Sequence, residues 1–172
     1  MEARSEPIHI VRLDAIYLPD PTFPSIPHTY ESHQLASPDV TASRLATATV
    51  AITTTVRITR QILDACPNLK LIAVMAIGTD IVDLEACKEK GVMVCNVPAA
   101  SNESVAEHAI ALYFALRRKV VRLHGLMTGK GELWKSRGSL KGEFGEELPG
   151  TCREEVLGIV GAGELGMSIS FL

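Results

Sequence analysis

Three glycines near the carboxyl end carry the clearest chemical signal. They stand in the run Gly161-Ala162-Gly163-Glu164-Leu165-Gly166, directly after the apolar stretch Val156 to Val160. A buried type of strand that flows into G-x-G-x-x-G is the context in which this pattern has a mechanism. Gly161 allows a tight turn, Gly163 lets backbone approach a pyrophosphate, and Gly166 lets a helix pack on a strand. The helix that follows offers free N–H groups and the positive end of its dipole to the anion. An acidic residue for the ribose hydroxyls is expected ~20 positions further on, beyond Leu172. The pattern therefore implies the first strand and turn of a dinucleotide-binding domain.

Other residues invite chemistry less strongly. Gly78, in Ala76-Ile77-Gly78-Thr79-Asp80, has a bare backbone that suits the holding of a small anion through N–H groups. It also suits an ordinary turn, and the pattern alone leaves both readings open. His108 sits among polar neighbours, and no motif places an acid beside it, so it reads as a surface or interdomain residue and not as a general base. The five histidines lack ligand spacing, so no metal site is expected. Cys66, Cys87, Cys95 and Cys152 form no C-x-x-C pair and read as reduced thiols of a cytoplasmic protein. The net charge of -3 argues against nucleic acid as a partner. The cluster Arg117-Arg118-Lys119 with Arg122 reads as a solvated helix face. No stretch approaches the ~20 apolar residues of a membrane span. Glu2, Glu6, His9 and Arg12 stand where a signal peptide needs an apolar core. Ser170-Phe171-Leu172 has the outline of a peroxisomal tripeptide, but Phe171 replaces its basic residue, and the likeness reads as coincidence.

The elements that must position these residues follow from local pattern. Ile8 to Leu18 reads as a strand, and Pro19, Pro21, Pro24 and Pro27 then mark a loop. Thr29 to His33 suits a short second strand. Ser37-Pro38 starts a helix that reaches about Ala46. Val50 to Thr53 is a buried strand type, and Thr59 begins a helix that Pro67 ends. Leu69 to Ala76 is a further apolar run. Asp83 caps Leu84 to Lys90, with Gly91 as its stop, and Val92 to Cys95 is a strand. Short strands and helices in alternation predict a parallel sheet covered on both faces, with ligands outside the carboxyl ends of its strands. Two such ends stand out, Thr53-Thr54-Thr55 and Ala76 to Asp80. A long helix follows from Ser101 or Asn102, with Val105, Ala109, Leu112, Tyr113, Leu116, Val120 and Leu123 on one face. Gly125 to Gly150 is glycine-rich and aperiodic, a long loop of functional or linking type. Its Trp134 is equally a surface anchor for another chain or a satellite packing residue.

Three segments, taken in order, resemble one family. They are Ala76-Ile77-Gly78-Thr79-Asp80-Ile81-Val82-Asp83, Lys90-Gly91-Val92-Met93-Val94-Cys95-Asn96-Val97-Pro98, and Ser101-Asn102-Glu103-Ser104-Val105-Ala106-Glu107-His108. They resemble the NAD(P)-dependent D-isomer-specific 2-hydroxyacid dehydrogenases, and within them the glycerate dehydrogenase (hydroxypyruvate or glyoxylate reductase) branch. The resemblance runs from about Ile8 to Gly166 and is weakest in the proline-rich loop.

The resemblance implies an α/β chain, with a flavodoxin-like, parallel-sheet substrate domain over residues 1–100. Residues 101–172 then supply an interdomain helix, a loop and the start of a Rossmann NAD(P)-binding domain. It implies that Ala76, Ile77 and Gly78 hold a substrate carboxylate through their backbone. Ser101 and Val105 match positions near the cofactor, and Gly161, Gly163, Glu164, Leu165 and Gly166 match the pyrophosphate turn. NAD or NADP is the implied cofactor, a small 2-hydroxy or 2-oxo acid the substrate, and a homodimer the assembly of a full-length form. The catalytic Arg, acid and His of the family lie downstream of the glycines, so no catalytic residue is assigned. Glu164 places a carboxylate where the family often has Arg, which weakens attraction for phosphate. Met167 to Leu172 is unlike the family's helix. Two further readings stand beside the enzyme: an NAD-sensing, corepressor-like binding protein, which Leu84 to Val105 fits equally, and a truncated product without function of its own.

Overall fold

Short runs of valine, isoleucine and leucine become strands wherever both faces can be buried. The computed structural model describes residues 7–128, 133–146 and 150–172. It divides into two units, Met1–Ala100 and Ser101–Leu172. In the first, β1 (Ile8–Arg12), β2 (His28–Ser32), β3 (Val50–Thr53), β4 (Leu71–Val74) and β5 (Met93–Cys95) alternate with α1 (Pro38–Leu45), α2 (Arg60–Ala65) and α3 (Leu84–Lys90). The strands form one parallel sheet in the order β2-β1-β3-β4-β5. This is the flavodoxin-like order, in which parallel crossovers leave helices on the faces. Ala51 lies opposite Val11 and Ile72, and Ile72 opposite Val94. Val11, Leu13, Leu45, Ala51, Ile58, Leu63 and Ile72 close the core.

Local chemistry sets the ends of α3. The Asp83 carboxylate accepts from the Ala86 N–H at 2.9 Å. Gly91 closes the helix in the left-handed region, at φ 68°, which glycine adopts at little cost. The first strand is shorter than the expected Ile8 to Leu18. The buried Arg12 side chain donates to the carbonyls of Leu18 (2.6 Å) and Pro19 (2.9 Å) and to Asp20 Oδ1 (2.9 Å). It draws the chain into a loop, and Ile16, Tyr17 and Leu18 are exposed. Tyr30 and Ser32 hydroxyls donate to the same Asp20 oxygen. With Arg12, they hold its carboxyl below the usual range.

The second unit corrects three expectations. The long helix is two, α4 (Asn102–Arg117) and α5 (Val120–Thr128). Lys119 stands between them at φ 49°. Left-handed backbone costs a non-glycine residue about 1–2 kcal/mol. Lys119 Nζ donates to the Glu143 carbonyl and lies 5.6 Å from the Phe144 ring centroid, contacts that offset the strain. Apolar spacing runs through the break unchanged, so periodicity could not reveal it. The glycine-rich stretch also has structure: α6 (Leu133–Arg137) and a 3-10 turn at Lys141–Phe144. Glu143 gathers it, accepting from Arg122 Nε at 3.0 Å and Arg137 at 2.7 Å. Residues 129–132 and 147–149 of that expected loop lie outside the described residues.

The third correction is the strand expected at Val156 to Val160. The segment has no β partner among the described residues, and Val156 and Val160 are fully exposed. A strand is defined by its neighbours' hydrogen bonds, and here none is available. The chain instead passes into α7 (Glu164–Ser170), so the tail Met167 to Leu172 is largely helical.

Candidate functional site

Beyond the carboxyl end of β4 the chain turns outward through Ala76, Ile77 and Gly78. The segment just past β5 holds it there. Val97 N–H donates to the Ala76 carbonyl at 3.1 Å, and Asn96 Nδ2 donates to the Ile77 carbonyl at 2.7 Å. Among the described residues, the N–H groups of Ile77 and Gly78 have no acceptor. Gly78 is exposed. A Cβ there would stand 2.7 Å from Asp80 Oδ1, so a side chain at this position would make the exposed Asp80 carboxylate swing aside. The loop thus offers two adjacent free donors to water or to an anion, with the exposed Asp80 carboxylate as a nearby opposing charge.

The other strand end singled out in the sequence, Thr53-Thr54-Thr55, is built differently. Asp14, fully buried just past β1, accepts from the N–H groups of Thr54 (2.8 Å), Thr55 (2.6 Å) and Val56 (3.2 Å). Thr53 and Thr55 hydroxyls donate to it as well. An internal carboxylate already fills this cradle, so it is a structural clip and not an open anion site. Sequence reasoning missed both Asp14 and Asn96. The available signal was position alone: each is a polar residue directly after an apolar strand.

In the second unit the glycine run forms a turn into α7. Gly161 has φ 110°, in the region open to glycine. A Cβ on Gly166 would lie 2.0 Å from the Gly161 carbonyl oxygen, while one on Gly163 would meet nothing within 4 Å. Two glycines thus serve the turn itself, and the third leaves open space over the backbone. Gly163 is the residue before the first turn of α7, and its carbonyl accepts from Met167 N–H at 2.9 Å. Glu164 and Leu165 begin the helix. Asn102 Nδ2 donates to Glu164 Oε2 at 3.1 Å, joining the starts of α4 and α7. Glu164 is exposed there, and its carboxylate is tied back toward α4.

Ser101 precedes α4, but its hydroxyl makes no capping bond. Its carbonyl accepts from Val105 N–H at 2.9 Å and from Ser104 Oγ at 3.0 Å. Val105 is exposed. An apolar cleft of about 280 Å³ lies between α4 and α7, lined by Ala109, Ile110, Tyr113, Leu157, Ile159 and Ile169 among others. His108 is exposed on α4. Among the described residues no cluster of His, Cys, Asp and Glu could hold a metal ion, and no helix is long and apolar enough to cross a membrane.

A model of the family described as D-isomer specific 2-hydroxyacid dehydrogenase, catalytic domain, matches residues 15–164. The glycerate dehydrogenase of Methylorubrum extorquens is 34% identical over 148 residues, which cover 85% of this chain and 46% of that protein. The hydroxypyruvate reductase of Thermotoga maritima is 39% identical over 115 residues, 66% of this chain and 34% of that protein. Among solved structures, the pyruvate reductase of Chlamydomonas reinhardtii aligns over 96% of this chain and 48% of its own, with a TM-score of 0.69 and 28% identity. The D-lactate dehydrogenase of Aquifex aeolicus, solved with NAD and lactic acid, has a TM-score of 0.73 at 24% identity, over 95% of this chain and 47% of its own. This last likeness is one of fold. The chain thus spans about half the length of these relatives, or less.

Proposed function

The chain belongs to the D-isomer-specific 2-hydroxyacid dehydrogenase family, and on that premise we propose that it carries the substrate-binding part of an oxidoreductase. That oxidoreductase transfers hydride between NAD or NADP and a small 2-hydroxy or 2-oxo acid. Glycerate, hydroxypyruvate or glyoxylate is the acid proposed, by analogy with the named relatives. In this reading residues 1–100 are the substrate domain, and residues 101–172 begin the nucleotide domain.

One observation carries the reading. Among the described residues, the adjacent N–H groups of Ile77 and Gly78 have no protein acceptor, and they lie in exposed residues outside the carboxyl end of a parallel strand. A carboxylate is the ligand that two such donors suit, and Ala76 shapes the approach to them. The glycine turn supports the same reading from the other unit. The open backbone at Gly163, with Glu164, Leu165 and Gly166 behind it, leaves room for a pyrophosphate. Ser101 and Val105 flank the cofactor in this proposal. The nicotinamide supplies the hydride chemistry when bound. The chain's own residues bind and orient the acid and the dinucleotide. A full-length form acts as a homodimer.

The test is a steady-state assay of a form that contains a complete nucleotide-binding domain, with NADH or NADPH and either glyoxylate or hydroxypyruvate. Turnover is expected. A Gly78→Val substitution keeps the N–H but crowds the loop with a β-branched side chain, and should raise KM for the acid by roughly tenfold or more, as expected when a charge-assisted hydrogen bond of about 1.5–3 kcal/mol is misaligned. Saturable NADH binding without turnover would favour the NAD-sensing reading, and an unchanged KM would remove Gly78 from the site.

A further inference from the structure

We propose that Asn96 is a positioning residue for the anion loop, setting the direction in which the Gly78 N–H points. The inference rests on the reading of Ile77 and Gly78 as carboxylate donors.

In a planar trans peptide the C=O of one residue and the N–H of the next point in opposite directions. The Ile77 carbonyl and the Gly78 N–H belong to one peptide unit. Asn96 Nδ2 donates to that carbonyl at 2.7 Å. Holding the oxygen toward Asn96 therefore turns the Gly78 N–H to the opposite side. The neighbouring unit is held in the same way. Val97 N–H donates to the Ala76 carbonyl at 3.1 Å, which turns the Ile77 N–H away from β5. Two consecutive residues after β5 thus grip two consecutive carbonyls after β4. The two N–H groups left over are the ones without an acceptor among the described residues.

The two grips differ in kind. The Val97 bond is a backbone bond made just past the paired part of β4 and β5, where Ala73 lies opposite Cys95. Any residue other than proline would supply it. The Asn96 bond comes from a side chain and needs an amide donor at that reach. Without it the Ile77–Gly78 unit is free to rotate, because glycine on its carboxyl side imposes little restriction on the backbone. A rotated unit would offer a carbonyl oxygen to the anion in place of an N–H. Asn96 itself is exposed and outside the core, so its removal should leave the fold intact.

The experiment uses the whole 172-residue chain, labelled with nitrogen-15 and titrated with glyoxylate, with Asn96→Ala and Asn96→Asp alongside. In the wild type the Ile77 and Gly78 amide signals should move with saturable dependence on glyoxylate. In Asn96→Ala the apparent dissociation constant should rise by roughly three- to tenfold, the usual net effect of one hydrogen bond. Asn96→Asp, which keeps shape but cannot donate, should lose at least as much. The unfolding midpoints of all three proteins should agree, and the free-state Gly78 amide signal should shift in both variants. Equal glyoxylate binding by wild type and Asn96→Ala, or an equal loss explained by a lowered unfolding midpoint, would overturn the role of Asn96 and leave the anion loop standing. Glyoxylate that moves neither amide in the wild type would overturn the loop and, with it, the role assigned to Asn96.

Discussion

At the scale of single residues, the glycine turn separates two uses of the same amino acid. Gly166 is needed because backbone stands against it, and Gly163 is not needed by the protein's own packing. Gly166→Ala is therefore expected to lower stability by about 1–3 kcal/mol, the usual effect of forcing an extra carbon into occupied space. Gly163→Ala, at a backbone conformation open to alanine, should leave stability within about 0.5 kcal/mol of wild type. Urea unfolding of the two variants checks the contrast, and equal losses would reject it. His33 makes a second prediction. Burial, and then the Arg44 charge, push its pKa below 6.5, against the pull of Glu31. Protons are then bound more readily by the unfolded chain. Its contribution to stability is complete above the unfolded pKa and fades as pH falls toward the folded one. The urea midpoint should drop between about pH 7.5 and about pH 5.5, and His33→Gln should drop less. A variant that declines as steeply as wild type would exclude His33 as the cause.

Elements show the same economy. Helix α3 is bounded by a side chain at one end and by a backbone conformation at the other, both written in the sequence. Asp83→Ala removes the acceptor for Ala86 N–H and should lower stability by about 1 kcal/mol. Gly91→Ala, at φ 68°, should lose about 1 kcal/mol through left-handed strain. Chemical denaturation of the single variants and the double variant measures both, and near-additivity is expected because the Asp83 side chain and Gly91 stand at opposite ends of the helix. The break between α4 and α5 is the opposite case. Lys119 at the break reaches Glu143 and Phe144, residues far along the chain, with the tip of its side chain, and the apolar spacing of the sequence runs on through it.

For the whole molecule, the first unit has a closed core, and the second leaves large apolar groups in water. Leu116, Val121, Val156 and Val160 are each more than three-quarters exposed. Exposed apolar surface of that kind promotes association. Among the described residues, the segment 156–160 also has no neighbouring strand to hold the glycine turn against a sheet. The 172-residue chain is accordingly expected to bind NADH no better than weakly and to reduce neither glyoxylate nor hydroxypyruvate. Fluorescence titration with NADH and an assay after repurification check this. Saturation at roughly micromolar NADH, or turnover that survives repurification, would show that the isolated turn suffices.

The sequence by itself determined the parallel α/β sheet, the limits of α1, β3 and α3, and the turn at Gly161 to Gly166. Those features rest on contacts within a few residues, on apolar runs suited to burial, and on glycine where only glycine fits. It also carried the family, through three motifs in order. Only the tertiary structure decided where β1 ends, since Arg12 bends the chain by bonding to carbonyls beyond the strand. It alone showed that Asp14 fills the cradle after β3 while the loop after β4 stays open. It alone placed Asn96 on the Ile77 carbonyl. The physical reason is common to these cases: a hydrogen bond between residues distant in sequence leaves no period or composition behind, and the direction of a peptide N–H is set by whatever holds the carbonyl on its other side.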